Sequence, residues 1–366
     1  MKISDQVAQQ RIPAGEFRSE CHAPGQKHAF LLDLGIQACP GLALPVLLIQ
    51  GAQNGKTLAL TAGVHGDEFE GIRALFDLSD QIDPAELSGR VVAVPVANPP
   101  AFSSGSRTSP LDGGNLARAF PGSEIGSPTQ VIAFHLGRSI IGRADFYVDL
   151  HTAGTKLLMP RMVGYDIHDS RSHEAAMAFG APVLWGHGEI PPGRTISFAS
   201  SRRIPWLYTE SCGGRTVDLE EVEMFTRGLM NVMRYLQMLP GSFRPAGASR
   251  LIYGNGDLDS GIAATRSGFL IPSVELLQDV KAGQALGRTV DLLGMPVESF
   301  ASPCDGTVAM IHAFPVVNAG ESLFLVASSH AHEDRERSQQ LGSCLNATGL
   351  ESSQHLKIQG SRKAIP

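Results

Sequence analysis

The chain has 366 residues, enough for two domains, and its hydrophobic (43%) and charged (18%) fractions are typical of a soluble globular protein. Its net charge of −6 and the lack of a basic stripe argue against nucleic acid as a partner. No stretch approaches the ~20 apolar residues of a membrane span, and the N-terminus lacks the apolar segment of a secretory signal, so we expect no membrane association.

The first part of the chain predicts alternating strands and helices. Residues 1–25 are polar and irregular. Two apolar runs, residues 43–51 and 57–66, predict consecutive strands that the turn sequence AQNGK joins as a hairpin. Apolar residues then recur at helical spacing over residues 68–82, and residues 89–100 predict another strand, which ends at Asn-Pro-Pro.

A long loop and further elements follow. Residues 101–126 are rich in Gly, Ser and Pro, and a loop of this length inside a compact domain is usually functional or disordered. A helix is predicted over residues 127–144, because Ser-Pro opens it and Gln130 follows at the third position. An amphipathic helix with an acidic first turn is predicted over residues 218–239. Three more strands are predicted at residues 145–151, 181–186 and 205–210.

This alternation predicts an α/β fold in which helices cover a sheet, and we assign residues 1–245 to this first domain. From residue 250 to residue 328, short strands between Gly turns predict a small all-β domain. Residues 329–366 are polar and rich in Ser, Gln, Glu and Lys, which predicts a disordered tail.

Ionisable side chains follow three of the predicted strands at their carboxyl ends. His65 and Glu68 follow the first, Asp149 and His151 the second, and Glu210 the third. Ligands of open α/β sheets bind outside the carboxyl ends of the strands, so we expect these groups to meet.

Two histidines and one carboxylate are the ligand set of many catalytic zinc sites, which keep a fourth position for water. We therefore predict that His65, Glu68 and His151 hold one Zn²⁺ per chain. Glu210 is the candidate carboxylate for proton transfer, and Asp149 is placed to orient a ligand histidine.

Simpler interpretations apply to other polar residues. An HxxE spacing alone is weak evidence for a metal site, because such pairs are common on protein surfaces. Asp67 and Glu70 are interpreted as solvated acids of a first helical turn. Cys212 is interpreted as a buried, inert thiol, and five scattered cysteines without a CxxC pair predict a cytoplasmic protein with reduced thiols. The remaining histidines are interpreted as surface or core residues: His22, His28, His135, His168, His173, His187, His312, His330 and His332.

Five segments carry further motifs, in one order, over roughly residues 43–240. They read TAGVHGDEFEG, VANPPAF, SRTSPLDGGNLARAFPG, VDLHTAG and PWLYTESCGG. This series resembles the succinylglutamate desuccinylase/aspartoacylase family of the zinc carboxypeptidase clan. The resemblance implies a zinc-carboxypeptidase-like mixed sheet, and the first domain would then be a zinc-dependent acylase or carboxypeptidase-like catalytic domain.

The same resemblance implies roles for single residues. It makes His65, Glu68 and His151 the zinc ligands and Glu210 the general base and acid. It places Arg107 to stabilise the oxyanion of a tetrahedral intermediate.

This sequence has only part of the residue set that binds the substrate in the family. The resemblance assigns a substrate carboxylate to Arg118, whose fork geometry suits it. The family's Asn-Arg pair, however, reads Ala117-Arg118 here, and a hydrogen bond to a charged group is worth ~1.5–3 kcal/mol. Asn115 is the candidate replacement, and Arg194 is the candidate contact for an acidic acyl group. Without the resemblance, Arg107 and Arg118 would be two solvated loop arginines.

The C-terminal β-domain resembles a barrel-sandwich fold, which in relatives narrows the mouth of the active site and favours small substrates. The leading hypothesis is zinc-dependent hydrolysis of the amide bond of a small N-acyl amino acid, with N-acetyl-diaminobutyrate as one candidate from a subset of the family. Two alternatives stay open: a metallocarboxypeptidase or amidase that acts on small peptides, and a non-catalytic metal-binding protein. The acyl group, the amine and homo-oligomerisation also stay open.

Overall fold

A computed structural model of the protein describes residues 10–214, 216–243 and 247–328. The predicted tail, residues 329–366, lies outside the described residues. In the first 253 residues the strands are β1 (Arg11–Pro13), β2 (Gln26–Asp33), β3 (Ala43–Gln50), β4 (Gln53–Ala62), β5 (Ser88–Val94), β6 (Phe146–Leu150), β7 (Leu157–Leu158), β8 (Met162–Asp166), β9 (Val183–His187), β10 (Trp206–Glu210) and β11 (Arg250–Tyr253). The α-helices are α1 (Glu70–Gln81), α2 (Pro99–Ser104), α3 (Pro128–His135), α4 (Ser170–Phe179), α5 (Thr195–Ser201) and α6 (Leu219–Tyr235).

All of these strands except β7 form one mixed sheet, in the order β1-β2-β3-β5-β4-β6-β10-β8-β9-β11. Helices α1, α4 and α6 pack on one face of the sheet, and α3 and α5 pack on the other. Helix α6 shows why this happens: Val222, Phe225 and Leu229 recur every three or four residues, and all are buried. The predicted α/β class with helices on both faces is confirmed.

Three neighbouring parallel strands bring the predicted polar residues to one edge of the sheet. Strand β6 pairs in parallel with β4 on one side and with β10 on the other. Leu150 lies opposite Ala62 in the first pairing and opposite Thr209 in the second. The segments that follow these three strands therefore begin side by side at one edge of the sheet.

The predicted hairpin between β3 and β4 is wrong. Strand β5 lies between them, antiparallel to β3 and parallel to β4, so that Val91 pairs with both Ile49 and Leu58. The short link between β3 and β4 crosses β5 closely, because Gly51 N donates to Gly89 O at 2.8 Å. Val91 and Val92 point to opposite faces of β5, and both are buried because the strand lies inside the sheet with a core on each side.

The remaining strands form a small all-β unit around an apolar core, as predicted. They are β12 (Ile262–Ala263), β13 (Gly268–Pro272), β14 (Asp279–Val280), β15 (Ala285–Val290), β16 (Pro296–Ala301), β17 (Gly306–His312), β18 (Val316–Val317) and β19 (Ser322–Ala327). One sheet has the order β12-β19-β17-β14, with β7 beside β17, and the other has the order β16-β15-β13-β18. Strand β11, predicted to belong to this unit, instead pairs with β9 in the large sheet.

Helices in the described ranges are too short or too polar to cross a lipid bilayer.

Candidate active site

Glu68 lies between two histidines at the edge where β4, β6 and β10 end. One carboxylate oxygen lies 2.6 Å from His65 Nδ1, and the other lies 2.8 Å from His151 Nδ1. One ligand atom from each residue falls within 4.8 Å of the others, so the three side chains can hold a metal ion. The structure thus brings together all three residues that the sequence predicts as metal ligands.

The second nitrogen of each histidine is held by an oxygen acceptor. His65 Nε2 lies 3.2 Å from Asn115 Oδ1, and His151 Nε2 lies 3.0 Å from Asp149 Oδ2. With Nε2 as the donor, Nδ1 is left with a lone pair for a metal. This donor set fits a divalent cation such as zinc, which binds histidine nitrogen and carboxylate oxygen.

Charges within the cluster shift the pKa values of its members. Burial opposes ionisation of Glu68, but His65 and His151 outweigh it and hold its pKa well below the usual range. Burial also lowers the pKa of His65. For His151, burial is overcome by Asp149 and Glu68, which raise its pKa well above the usual value. The carboxylates of Glu68 and Asp149 therefore favour a positive charge between the side chains of the cluster. A bound cation would supply that charge.

Glu210 ends strand β10 and is buried in the same pocket. Its Oε2 atom has no hydrogen-bond partner in the described structure. Burial and the nearby Glu68 carboxylate raise its pKa well above the usual value for a glutamate. A buried carboxylate with a free oxygen beside a metal-binding triad is suited to accept and return a proton.

Three arginines predicted from the sequence line this pocket. Arg107 reaches inwards, and its Nη1 donates to Glu68 Oε1 at 3.4 Å. Arg118 Nε donates to Asp259 at 2.7 Å, and Arg194 Nη2 donates to Asp257 at 2.5 Å.

The ion pair with Asp257 changes the interpretation of Arg194. This arginine was predicted to contact an acidic acyl group, but its charge is already compensated by a partner that is largely buried with it. Arg118 differs because its partner Asp259 is 67% exposed, so the pair is screened by solvent and leaves further N–H groups available.

Asn115, the candidate replacement for the missing Asn, makes two hydrogen bonds within the protein. Its side-chain oxygen accepts from His65 Nε2 and also from the backbone N–H of Ala117, so it orients the imidazole of this candidate metal ligand. The pocket wall at this place is formed by Ala117 and Arg118. The side-chain oxygen of Asn115 is therefore already engaged within the protein.

Asp67 and Glu70 are buried, so the interpretation of both as solvated acids is wrong. Asp67 Oδ2 accepts from the backbone N–H and the hydroxyl of Thr155, at 3.2 and 3.1 Å. Glu70 accepts from Asp218 N at 3.3 Å, which ties the start of α1 to the start of α6. Burial raises the pKa of Glu70. Asp67 and Glu70 thus stabilise the local structure. His65 and Glu68, from the same segment, belong to the candidate metal centre.

The sequence interpretation missed two pocket residues, His187 and Tyr208. His187 Nε2 lies 2.9 Å from the Tyr208 hydroxyl, and both side chains line the pocket. A signal was present, because His187 ends strand β9 as Glu210 ends β10. Asn255, Gly256 and Leu258, from the segment after β11, complete the wall.

Cys212 lies two residues beyond Glu210 but has no nucleophilic character. Burial and the nearby Glu221 carboxylate raise the pKa of its thiol to about 11. The thiolate, the reactive form, is therefore scarce near neutral pH.

Comparison with known proteins agrees with this geometry. The succinylglutamate desuccinylase/aspartoacylase catalytic domain matches residues 54–236, which contain the three candidate metal ligands and Glu210. A curated relative, the N-alpha-acetyl-L-2,4-diaminobutyric acid deacetylase of Halomonas elongata, is 32% identical over 337 residues, which are 89% of this chain and 98% of the relative. The chain belongs to the succinylglutamate desuccinylase/aspartoacylase family.

Solved structures of other members of the family share the fold. A succinylglutamate desuccinylase/aspartoacylase from Rhodobacter sphaeroides is 29% identical, with a TM-score of 0.75 over 86% of this chain and 98% of that one. The product-bound ectoine utilization protein from Ruegeria pomeroyi is 27% identical, with a TM-score of 0.75 over 84% and 96% of the two chains. The similarity extends from the large sheet into the β-rich unit, because it covers 86% and 84% of this chain, more than the residues up to Tyr253 supply.

Proposed function

We propose that the protein is a zinc-dependent hydrolase that cleaves the amide bond of a small N-acyl amino acid. The observation that carries this proposal is the meeting of His65, Glu68 and His151 with the unpartnered Oε2 of Glu210 in one pocket. The Halomonas relative, named for deacetylation of N-alpha-acetyl-L-2,4-diaminobutyric acid, supports an N-acetyl-diaminobutyrate type of substrate.

The proposed mechanism assigns proton transfer to Glu210. When bound, zinc would lower the pKa of a coordinated water and polarise the scissile carbonyl. Glu210 takes the proton from the attacking water, since the residue lines the pocket and its Oε2 atom has no other hydrogen-bond partner in the described structure. It then delivers that proton to the leaving nitrogen, so one residue acts first as base and then as acid.

Two arginines hold the substrate in this proposal. Arg107 donates hydrogen bonds to the carbonyl oxygen as negative charge develops on it, because its guanidinium already lies beside Glu68. Arg118 binds the substrate carboxylate through the N–H groups that Asp259 does not occupy. Residues Asn115 and Asp149 keep the two ligand histidines in their tautomers.

A Glu210→Ala variant tests the proposal. It should keep the metal content of the wild type, measured by elemental analysis, and lose at least about 10²–10⁴-fold in kcat on N-acetyl-diaminobutyrate. Glu223→Ala, which alters an exposed glutamate on α6, is the matched control and should keep full activity. Wild-type activity in the Glu210 variant would contradict the assignment.

A substrate panel separates this proposal from its alternatives. Acetyl-, succinyl- and aspartoyl-type N-acyl amino acids should be cleaved faster than dipeptides if the protein is a deacylase. Preference for dipeptides would indicate a carboxypeptidase or amidase. Stoichiometric zinc without hydrolysis of any substrate would favour a metal-binding protein, and a different bound metal would correct the choice of zinc.

A further inference from the structure

Tyr208 is a buried pocket residue that the proposed mechanism does not use. It lies on the same face of β10 as Glu210, because side chains two residues apart in a strand point the same way. Both residues line the pocket. The phenol of Tyr208 therefore lies in the pocket wall without a role in metal binding or proton transfer.

His187 fixes the direction of the Tyr208 hydroxyl proton. Its Nδ1 lies 2.5 Å from the carbonyl oxygen of Gly254, which can only accept a hydrogen bond, so Nδ1 carries the proton. Burial lowers the pKa of His187 to about 4, so the ring is neutral near pH 7 and Nε2 is an acceptor. The Tyr208 hydroxyl therefore donates to Nε2 and offers only lone pairs to the pocket.

Gly256 encloses this pair on the side of the β-rich unit. A Cβ atom at this position would lie 2.7 Å from His187 Cε1 and 3.0 Å from the Tyr208 hydroxyl oxygen. Its φ of +60° also favours glycine. Without a side chain, Gly256 can lie directly against His187 and Tyr208. All three residues then form one part of the pocket wall.

The two arginines of this part of the pocket each pair with an aspartate, and the Arg194 pair is the more buried of the two. Arg194 pairs with Asp257, and their side chains are only 12% and 21% exposed. Arg118 pairs with Asp259. A group that binds beside Tyr208 thus meets a hydrogen-bond acceptor, and the charge of Arg194 is already balanced by its buried partner.

We propose that Tyr208, oriented by His187, is a specificity-determining residue that binds a protonated amine on the side chain of the substrate. This inference rests on the proposed function, because it places the amine in the pocket that holds the scissile amide. An ammonium group donates to the phenol oxygen, whereas a carboxylate there would face lone pairs. The substrate class becomes N-acyl amino acids with a basic side chain rather than an acidic one.

Binding of two free amino acids tests the inference without turnover. In 2,4-diaminobutyrate the side chain ends in an ammonium group, and in norvaline a methyl group replaces it. Isothermal titration calorimetry on the zinc-loaded wild type should show about 10- to 100-fold tighter binding of the diamine. In Tyr208→Phe this ratio should fall towards one, while the matched control Tyr235→Phe, on α6, should keep it.

Other outcomes are equally decisive. His187→Ala removes the acceptor but leaves Tyr208 in place, so the affinity ratio should fall there too. Equal affinities in the wild type would overturn the inference without any variant, and so would a ratio that Tyr208→Phe preserves. Failure of the wild type to hydrolyse N-acyl amino acids would contradict the proposed function instead, and the binding ratio would still report on Tyr208.

Discussion

The Nε2 atom of His151 lies 3.0 Å from Oδ2 of Asp149, two residues earlier in the chain. Asp149 is fully buried, and it also accepts from the hydroxyls of Thr61 and Thr195. Burial opposes its ionisation, but His151 and these hydroxyls keep its pKa below the usual value. The carboxylate thus holds the proton of His151 on Nε2 and leaves Nδ1 free for a metal.

Replacing Asp149 should therefore weaken metal binding. We expect Asp149→Ala to lower zinc affinity about 10- to 100-fold, because the ring of His151 loses the partner that orients it. Competition with a chromogenic chelator measures this change. Thr195→Val removes only one hydrogen bond to Asp149 and should cause a smaller loss. Wild-type affinity in Asp149→Ala would show that the contact does not orient the ligand.

Arg107 should affect the chemical step more than metal binding. Its guanidinium is in contact with Glu68 yet remains partly exposed to the pocket. We expect Arg107→Met to lower kcat about 10²–10³-fold, since a donor to the developing oxyanion is lost. Metal content should stay stoichiometric by elemental analysis. Arg73→Met, at an exposed position of α1, is the control, and an equal effect in both variants would refute the role.

The sequence predicted those site residues that directly follow the ends of strands. The carboxyl ends of β4, β6 and β10 were recognisable from apolar runs, and parallel pairing then brought His65, His151 and Glu210 together. The capped start of α3 was equally local, because Gln130 Oε1 accepts from Ser127 N at 3.1 Å.

Features that depend on distant contacts could not be predicted in this way. The insertion of β5 between β3 and β4 depends on which strands pair, and a turn signal such as AQNGK does not specify that. Strands β2 and β8 and helix α4 were also missed. The partners of Arg118 and Arg194 come from a segment more than 60 residues later in the chain, so no spacing rule relates them.

Gly66 should tolerate no side chain. A Cβ atom there would lie 2.0 Å from the backbone carbon of Ala101, in the first turns of α2. We expect Gly66→Ala to lower the free energy of unfolding by about 1–3 kcal/mol, because backbone must move to relieve the overlap. Metal affinity should fall as well, since His65 is the preceding residue. Denaturant unfolding and chelator competition measure the two effects.

Gly15→Ala is the matched control for this prediction. A Cβ atom at Gly15 would meet nothing within 4 Å, and its φ is not in the left-handed region. The free energy of unfolding should change by no more than about 0.5 kcal/mol. Similar stability of the two variants would mean that α2 moves aside at little cost.

Asp112 should make stability depend on pH in a defined direction. It accepts from the backbone N–H and hydroxyl of Thr129 and from Gly114 N, which anchors the loop between Arg107 and Arg118 to the start of α3. Burial opposes its ionisation, but these hydrogen bonds and one from Ser127 outweigh it and lower its pKa to about 2.

Because the folded pKa lies below the unfolded value of about 3.9, this carboxylate stabilises the fold fully above that pH and progressively less as the pH falls towards 2. Asp112→Ala should therefore lower the free energy of unfolding by about 0.5–2 kcal/mol at pH 7, the range for losing a side-chain acceptor of a first-turn helix N–H. The difference between wild type and variant should shrink at pH 3. Denaturant unfolding at both pH values measures it, and a difference that grows at pH 3 would reverse the assigned sign.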